Sequence, residues 1–212
     1  MSDNEHFVMK GCLFMKKDLR VIKTLRVIDE AFLKLLREKS FDEITIKEIC
    51  NVAMINRGTF YSHYADKFQL IESYQEVLVK GFRKILYENV TGTSYREILE
   101  NNVKNTIDDA LYFMKDNRDK VLAVLESVDN ANFAEYFSNH MFTFYKDKSE
   151  QLGILLEPEI DKDYVITYIT HAHMGIFLKW IREGCIVPVE IISNYIETFT
   201  INGVFQTLHL DK

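Results

Sequence analysis

The chain has 212 residues, 47% of them apolar, and a formal net charge of -6 at pH 7. This length buries a sizeable hydrophobic core in one large or two small domains, without disulfides or a structural metal. No apolar run reaches the roughly 18 residues that a membrane span requires, and no basic start followed by an apolar segment indicates secretion. We therefore expect a soluble, cytoplasmic protein that has no membrane partner.

The three cysteines, Cys12, Cys50 and Cys185, are odd in number and far apart in the sequence. They form no pair with the spacing of a metal site, and we expect them to be reduced, as cysteines are in the cytosol. Only 8 glycines and 2 prolines interrupt the chain, and the apolar residues recur mostly at helical spacing. This pattern predicts an all-α fold.

The charge is unevenly distributed along the chain. Residues 1–70 contain 12 lysines and arginines against 10 acidic residues, whereas residues 71–212 contain 14 against 22. Between positions 10 and 26, a single acidic residue, Asp18, accompanies six basic ones: Lys10, Lys16, Lys17, Arg20, Lys23 and Arg26. Residues 1–17 are therefore predicted to form a basic arm that can follow a phosphate backbone, although a solvated terminus has the same composition.

A first long helix is predicted from Asp18, whose side chain can cap it, to about Lys39. Its apolar residues recur at steps of three and four and so form one face: Val21, Leu25, Ile28, Phe32, Leu35 and Leu36. We expect this face to pack behind the element that follows it.

Two short helices around a tight turn are predicted between Thr45 and Tyr64. Thr45 and Glu48 have the spacing of a capping box, in which each side chain bonds the backbone amide of the other residue. Asn56 is a favoured cap for the second helix, and only Met54 and Ile55 lie between the two helices. Helices joined so briefly cross steeply, as in a helix-turn-helix, and the second helix then exposes one face.

On the second helix, Phe60 and Tyr64 recur four apart and are predicted to point inward. The outer side and first turn then carry a mostly polar set: Arg57, Gly58, Thr59, Tyr61, Ser62 and His63. In a helix that enters a major groove, an arginine binds guanine or phosphate, and hydroxyl groups donate to phosphate oxygens. An ordinary helical corner with a solvated polar face fits the same spacing, so the residues alone leave both interpretations open.

This segment resembles the N-terminal signature of the TetR (tetracycline-repressor-like) family of bacterial regulators. The matching residues are Thr45, Ile46, Ile49, Ala53, Ile55, Arg57, Gly58, Thr59, Phe60, Tyr61, His63, Tyr64 and Lys67. The resemblance implies a helix-turn-helix domain over residues 18–65 that binds an operator in double-stranded DNA, with Lys67 opening the next helix near the phosphates. The DNA-binding residues are then expected to be Thr45, Asn56, Arg57, Gly58, Thr59, Tyr61, Ser62, His63 and Lys67.

Met54 departs from the family pattern, which usually has a glycine in this turn. Glycine adopts a left-handed backbone without strain, whereas methionine does so only at a cost in free energy. We therefore expect the turn to be strained or differently shaped.

Residues 66–212 are predicted to form a second helical domain. Cap residues open three of its helices, at Asp66, Ser94 and Asn117, and the first of these reaches about Val90. From Asn132 to Leu156 the sequence is strongly aromatic, and such residues either fill a core or line an apolar cavity. A cavity would bind a small-molecule effector, and its candidate residues are Tyr112, Phe133, Phe137, His140, Phe144, His173 and Phe177.

The last two helices are predicted from about Asp161 to Glu183 and from Pro188 to about Leu208. Two antiparallel amphipathic helices at the end of a chain can build a four-helix bundle with a second copy, and TetR-like proteins dimerise in this way. The candidate interface residues are Ile169, Phe177, Trp180, Ile192, Tyr195, Ile196 and Phe199. The segment from Gly175 to Gly184 also resembles the C-terminal domain of such regulators from Gram-positive bacteria.

No catalytic or cofactor motif stands out, and we expect neither an enzyme nor a bound cofactor. His171 and His173 would point about 200° apart on a helix, so they would not share a metal ion. We interpret the chain as a ligand-responsive repressor that binds a palindromic operator as a homodimer. The alternative is a protein of the same fold that has lost operator reading and acts on a partner protein. Salt dependence separates the two, because DNA binding weakens steeply with added salt.

Overall fold

The structure is a computed structural model, and it describes residues 3–90, 103–127, 130–151 and 161–205. Within these ranges every regular element is helical, so the all-α prediction is confirmed. The α-helices are α1 Asp3–Leu36, α2 Ile46–Ala53, α3 Arg57–Tyr61, α4 Lys67–Asn89, α5 Val103–Asp116, α6 Arg118–Glu126, α7 Asn130–Gln151, α8 Lys162–Arg182 and α9 Val189–Phe199. None of these helices is long and apolar enough to cross a membrane.

Contacts divide the chain into two compact units, Met1–Ile71 and Glu72–Lys212. The first unit packs α1, α2 and α3 around a small core, and a 3-10 turn, Phe41–Glu43, connects α1 to α2. Its buried side chains come from each of these elements and from the start of α4: Ile28, Phe32, Phe41, Ile44, Ile49, Phe60 and Leu70. The apolar face predicted for the first helix therefore supplies one side of this core.

Helix α1 begins at Asp3 and not at Asp18, so the predicted cap at Asp18 is wrong. The stretch before Asp18 contains no proline and one glycine, Gly11, and hence little that would end a helix. The side chains of the predicted basic arm, residues 1–17, lie outside the described part of the chain, apart from their helical backbone from Asp3 onward.

The cap predicted at the start of α4 is confirmed. Asp66 Oδ1 accepts a hydrogen bond from the amide of Gln69 at 2.8 Å, and Gln69 Oε1 accepts one from the amide of Ala65 at 2.6 Å. The cap predicted at Ser94 lies outside the described residues. Asn117 does not cap α6, because its backbone lacks the extended conformation of a cap. Its side-chain Nδ2 instead donates to the carbonyl of Phe113 at 2.8 Å.

In the second unit, α7 packs on α8 and α9 packs on α5. Trp180 is buried, and its indole Nε1 donates to the carbonyl of Val187 at 2.8 Å, which fastens the turn between α8 and α9. Helix α8 ends at Arg182, as predicted from Gly184, whose φ of 86° is one that glycine adopts freely. The predicted end of the last helix, at about Leu208, lies outside the described residues.

The side chain of Phe113, on α5, reaches the backbone of α4 at Gly81. A Cβ atom placed on Gly81 would lie 2.2 Å from the end of the Phe113 ring, which therefore occupies the space where a side chain would be. The final segment of the described chain, Thr200–Phe205, continues α9 as a π-helix. Asn202 and Gly203 both lie in this π-helical segment.

Candidate functional site

The second helix of the helix-turn-helix, α3, is short and capped. The side chain of Asn56 accepts a hydrogen bond from the amide of Thr59 at 2.7 Å. Gly58 supports this cap, because a Cβ atom at position 58 would lie only 3.2 Å from Asn56 Oδ1. Phe60 is fully buried and Tyr64 is nearly so, as their spacing predicts. The inner face of α3 is thus fixed by packing and its start by a side-chain cap.

The opposite face of α3 is open to solvent. Tyr61 is 53% exposed, and Arg57, Gly58 and Ser62 are exposed. Thr59 and His63 are partly exposed. An arginine and a tyrosine therefore stand on the surface of a helix whose other side is anchored.

Of the three hydroxyl groups predicted to bind phosphate, those of Thr59, Tyr61 and Ser62, the first and the last are used within this segment. Thr59 Oγ1 donates to Asn56 Oδ1 at 3.1 Å, and Ser62 Oγ donates to the carbonyl of Thr59 at 2.7 Å. Either hydroxyl must rotate away from its present acceptor before it can donate to a phosphate.

The first helix of the pair, α2, begins with the predicted capping box. The amide of Glu48 donates to Thr45 Oγ1 at 3.3 Å, and the amide of Thr45 donates to Glu48 Oε2 at 3.0 Å. Lys39 donates to the other Glu48 oxygen at 2.6 Å. These bonds, first that of the Lys39 ammonium and then those of Thr45, lower the pKa of Glu48 to about 2.

The turn between α2 and α3 takes the left-handed conformation with a methionine in it. Met54 has φ 54° and ψ 42°, and its amide donates to the carbonyls of Cys50 and Asn51. Its side chain is 90% exposed and therefore gains little from packing. The turn keeps the backbone conformation that a glycine would adopt. Methionine at position 54 therefore strains the turn and does not reshape it.

Lys67, predicted near the phosphates, points its ammonium group at the protein. Nζ donates to the carbonyls of Phe41, Asp42 and Ile44 at 2.8, 3.0 and 2.9 Å. It also lies 4.5 Å from the centre of the Phe41 ring, within cation–π range. All three ammonium protons are thus used inside the first unit, in the turn that connects α1 to α2.

One exposed lysine in this region was missed by the sequence analysis. Lys47 is exposed and is the second residue of α2, in the turn that Thr45 caps. The first helix of a helix-turn-helix crosses the DNA backbone, so a lysine in its first turn is a signal for phosphate binding. Thr45 itself is exposed.

A second site is a cavity inside the second unit. It encloses about 510 Å³ of space not filled by atoms, its open mouth included. Its lining comes from α4, α5, α7, α8 and α9 and is mostly apolar: Phe82, Leu86, Thr106, Ile107, Ala110, Leu111, Met114, Phe137, Met141, Tyr145, His173, Met174, Phe177 and Ile196.

Two family models match the chain. One, for bacterial regulatory proteins of the tetR family, matches residues 28–74, and the other, for a transcriptional regulator C-terminal region of the TetR type, matches residues 101–202. The chain belongs to the TetR family. The tetR-family match includes α2 and α3, which form its helix-turn-helix.

Two curated relatives of this TetR-family chain come from Bacillus subtilis. It is 29% identical over 173 residues to the uncharacterized HTH-type transcriptional regulator YxbF, an alignment that covers 78% of this chain and 42% of the relative. It is 24% identical over 194 residues to the uncharacterized HTH-type transcriptional regulator YerO, covering 89% of this chain and 57% of the relative. The chain thus spans about half the length of the curated relatives it matches.

Solved TetR structures share its fold. A TetR transcriptional regulator from Streptococcus agalactiae aligns with a TM-score of 0.58 and 23% identity, covering 87% of this chain and 97% of that one. The fatty acid degradation regulator FadR from Bacillus halodurans aligns with a TM-score of 0.63 and 15% identity, covering 85% and 96%. At these identities the likeness establishes the fold.

Within this TetR fold, three of the seven predicted pocket residues line the cavity: Phe137, His173 and Phe177. The other four lie elsewhere. Phe133 and Phe144 are core residues, and Tyr112 is exposed and bonds Glu190. His140 contacts the ring of Tyr136, and burial lowers its pKa. Sequence analysis missed Tyr145, although it lies in the aromatic segment that suggested a cavity.

Five of the seven residues predicted for the dimer interface are buried inside the protomer: Ile169, Phe177, Trp180, Ile192 and Ile196. The other two, Tyr195 and Phe199, are exposed, and their rings stack with 6.1 Å between the ring centroids. The most exposed aromatic residues of α8 are instead Tyr164, at 77%, and Tyr168, at 65%. Helical spacing found one apolar stripe on α8 and another on α9, and five of the seven residues chosen from them face the protomer's own core.

Among the described residues, no three histidine, cysteine or acidic side chains are grouped so that they could hold a metal ion. His171 Nδ1 lies 2.8 Å from the carbonyl of Thr167, and His171 is exposed. His173 faces Tyr145 at 3.0 Å instead. The two histidines thus have different surroundings on α8.

Proposed function

We propose that this TetR-family protein is a homodimeric repressor that binds a palindromic operator through α3 and releases it when a small effector binds the second unit. Residues 18–65 serve as the DNA-binding domain, and residues 66–212 serve as the effector-binding and dimerisation domain. The observation that carries the proposal is the pair of exposed side chains, Arg57 and Tyr61, on a helix anchored by buried Phe60.

The DNA-binding role is supported by the chemistry of the exposed face. Arg57 offers a planar set of donors that matches guanine O6 and N7 or a phosphate. Tyr61 offers a hydroxyl and an apolar ring, and Lys47 adds a cation at the start of α2. Thr45 and Asn56 contribute mainly by capping the two helices, and Lys67 by holding the turn before α2, as their hydrogen bonds indicate.

The homodimer is supported by exposed aromatic residues on the last two helices. Tyr164 and Tyr168 recur four apart on α8, and Tyr195 and Phe199 recur four apart on α9. Residues at this spacing lie on one face of a helix, and exposed apolar faces of this kind mark protein interfaces. The occupant we propose is a second copy, because paired terminal helices form a symmetric bundle in which both protomers use the same face.

The effector response is supported by the cavity and by the continuity of α4. Helix α4 contributes Phe82 and Leu86 to the cavity lining, and its first turn carries Lys67. A ligand that favours a different position of α4 shifts the population toward a state that fits the operator poorly. Two operator half-sites lie about 34 Å or a multiple of that apart. A small change in the separation of the two α3 helices is therefore sufficient to weaken operator binding.

The experiment is a gel-shift titration against DNA from the promoter region of the protein's own gene. Arg57→Ala and Tyr61→Ala should each weaken binding about 10-fold or more while leaving the dimer folded, because a good base contact contributes about 1–3 kcal/mol. Arg83→Ala and Tyr136→Ala are matched controls, since both residues are exposed and lie in the second unit. Unchanged affinity in both α3 variants would overturn the assignment.

The same titration at several salt concentrations tests the alternative, a protein-interaction regulator without operator reading. Affinity for DNA should fall linearly on a log–log plot, with a slope of about -0.9 for each phosphate contact. A reshaped turn at Met54 would favour the alternative, because it could misplace α3. The left-handed backbone at Met54 removes that reason.

A further inference from the structure

The cavity of the second unit contains few polar groups. Of its lining residues, only Thr106, Tyr145 and His173 carry a polar side chain. No lysine, arginine, aspartate or glutamate lines the cavity within the ranges that the structure describes. Any ligand that enters is therefore surrounded mainly by leucine, isoleucine, methionine and phenylalanine.

Tyr145 and His173 belong to a chain of hydrogen bonds whose direction is fixed at one end. Thr200 Oγ1 donates to the carbonyl of Ile196 at 2.7 Å, and a carbonyl can only accept. Thr200 Oγ1 therefore accepts from His173 Nε2–H at 2.7 Å. His173 Nδ1 is then the unprotonated nitrogen and accepts from the Tyr145 hydroxyl at 3.0 Å.

This arrangement determines what the cavity offers to a ligand. The one proton of the Tyr145 hydroxyl is used by His173, but the Tyr145 oxygen keeps a lone pair that can accept a hydrogen bond. The imidazole of His173 has both nitrogens occupied within the chain. The tyrosine oxygen is thus an acceptor that requires a donor on the ligand.

The charge states of the same groups are unfavourable for an ionic ligand. Burial lowers the pKa of His173 to about 4, so the ring is neutral at pH 7 and cannot pair with an anion. Burial also raises the pKa of Tyr145, so the hydroxyl keeps its proton. A carboxylate or an ammonium group entering the cavity would lose its hydration without gaining a counter-ion, which is strongly unfavourable.

We infer that the cavity binds an uncharged, mainly apolar molecule that carries one hydrogen-bond donor, such as an alcohol, and that this donor bonds the Tyr145 oxygen. The inference deepens the proposed effector response and rests on it. It assigns recognition to Tyr145, with His173 and Thr200 as positioning residues that hold the hydroxyl in place.

The test compares straight-chain probes of equal length, from six to ten carbons, on the full-length protein. The primary alcohol should raise the melting temperature and give a saturable heat of binding. The corresponding carboxylate and alkylammonium ions should bind at least 10-fold more weakly at pH 7. Equal binding of an ionic probe, or no binding of any alcohol in the series, would overturn the inference.

A variant isolates the hydrogen bond. Tyr145→Phe removes only the hydroxyl and should weaken alcohol binding about three- to tenfold. The methyl ether of the same alcohol has no donor and should bind the wild type and Tyr145→Phe equally. An alcohol affinity that does not change in the variant would contradict the role of Tyr145. The comparison of probes on the wild type stands even if the variant folds poorly.

Operator binding is measured on the same samples, because the two proposals can fail separately. A protein that binds the alcohol but no DNA would contradict the proposed function and leave the assignment of the cavity intact. A protein that binds its operator but no alcohol would contradict the assignment of the cavity alone.

Discussion

The ammonium group of Lys67 donates to the carbonyl of Phe41 at 2.8 Å and also lies 4.5 Å from the centre of the Phe41 ring. Two more carbonyls, those of Asp42 and Ile44, accept its remaining protons. The first turn of α4 is thereby fastened to the turn that precedes α2. We therefore expect Lys67 to act on DNA binding through the position of α2 and α3.

Replacing Lys67 with methionine should lower the stability of the first unit and weaken operator binding together. Without the ammonium group, three carbonyls in a part-buried site lose their donor. We therefore expect the free energy of unfolding to fall by about 2 kcal/mol. The dependence of log affinity on log salt concentration should keep its slope, because no phosphate contact is lost. Chemical unfolding and salt-dependent gel shifts measure the two quantities.

Lys47→Met is the matched control for this variant, since Lys47 is an exposed lysine in the same unit. It should leave stability unchanged and reduce the salt slope by about 0.9, the value for one phosphate contact. If Lys67→Met instead reduces the salt slope and leaves the stability of the first unit unchanged, Lys67 binds phosphate.

Met54→Gly should stabilise the protein by about 1 kcal/mol, because glycine adopts the left-handed conformation of residue 54 without steric penalty. The 90% exposed methionine side chain contributes little packing that could be lost. Urea unfolding measures the difference. Met54→Ala is the control and should change stability by less than about 0.5 kcal/mol, because alanine keeps the Cβ atom and the penalty. Equal stability of all three proteins would show that the turn is unstrained.

The helix-turn-helix was predictable because its signals are local. The Thr45–Glu48 box, the Asn56 cap and the inward pair Phe60 and Tyr64 each depend on residues within four positions of one another. The strain at Met54 was likewise foreseen from one residue and the turn it occupies. The bonds of Lys67 join residues 23–26 positions apart, and no local spacing indicates them.

Glu48 should make stability depend on pH in acid. Its pKa in the folded protein is about 2, lower than the ordinary 4.5, so its contribution is fully present above about pH 4.5 and is lost as the pH falls through 2. Glu48→Gln should remove this dependence, and the variant should lose less stability than the wild type between pH 5 and pH 2. Urea midpoints across this range measure it.

Glu43→Gln is the control for the acid titration, because Glu43 forms a similar capping box with Ser40 in the turn before α2. The wild-type pH dependence should largely persist in Glu43→Gln. If the two variants titrate alike, the Lys39–Glu48 pair does not set the acid behaviour of this unit.

Tyr168→Glu should convert the proposed homodimer to a monomer, because a charge would enter the apolar contact proposed between the terminal helices. Light scattering coupled to gel filtration gives the mass directly. Tyr136→Glu, at an exposed tyrosine of α7, should leave the dimer intact. A dimer that tolerates Tyr168→Glu would exclude the exposed face of α8 from the interface.

The interface and the cavity show where sequence patterns are insufficient. Periodicity identified one apolar stripe through Trp180 on α8 and another through Ile192 on α9, but a stripe looks the same whether it packs on its own protomer or on a partner. Tyr145 and Thr200 both bond His173, although they lie 28 and 27 positions from it on either side in the sequence. Their relation depends on the tertiary fold, so the acceptor in the cavity could not be found by spacing.

Gly81 has a consequence for the wall of the cavity in the second unit. The end of the Phe113 ring, on α5, occupies the place that a side chain would take at position 81 on α4. Both helices supply lining residues. A single methyl group at Gly81 would collide with the Phe113 ring, so a change at a residue outside the lining would press on two helices that form the cavity wall.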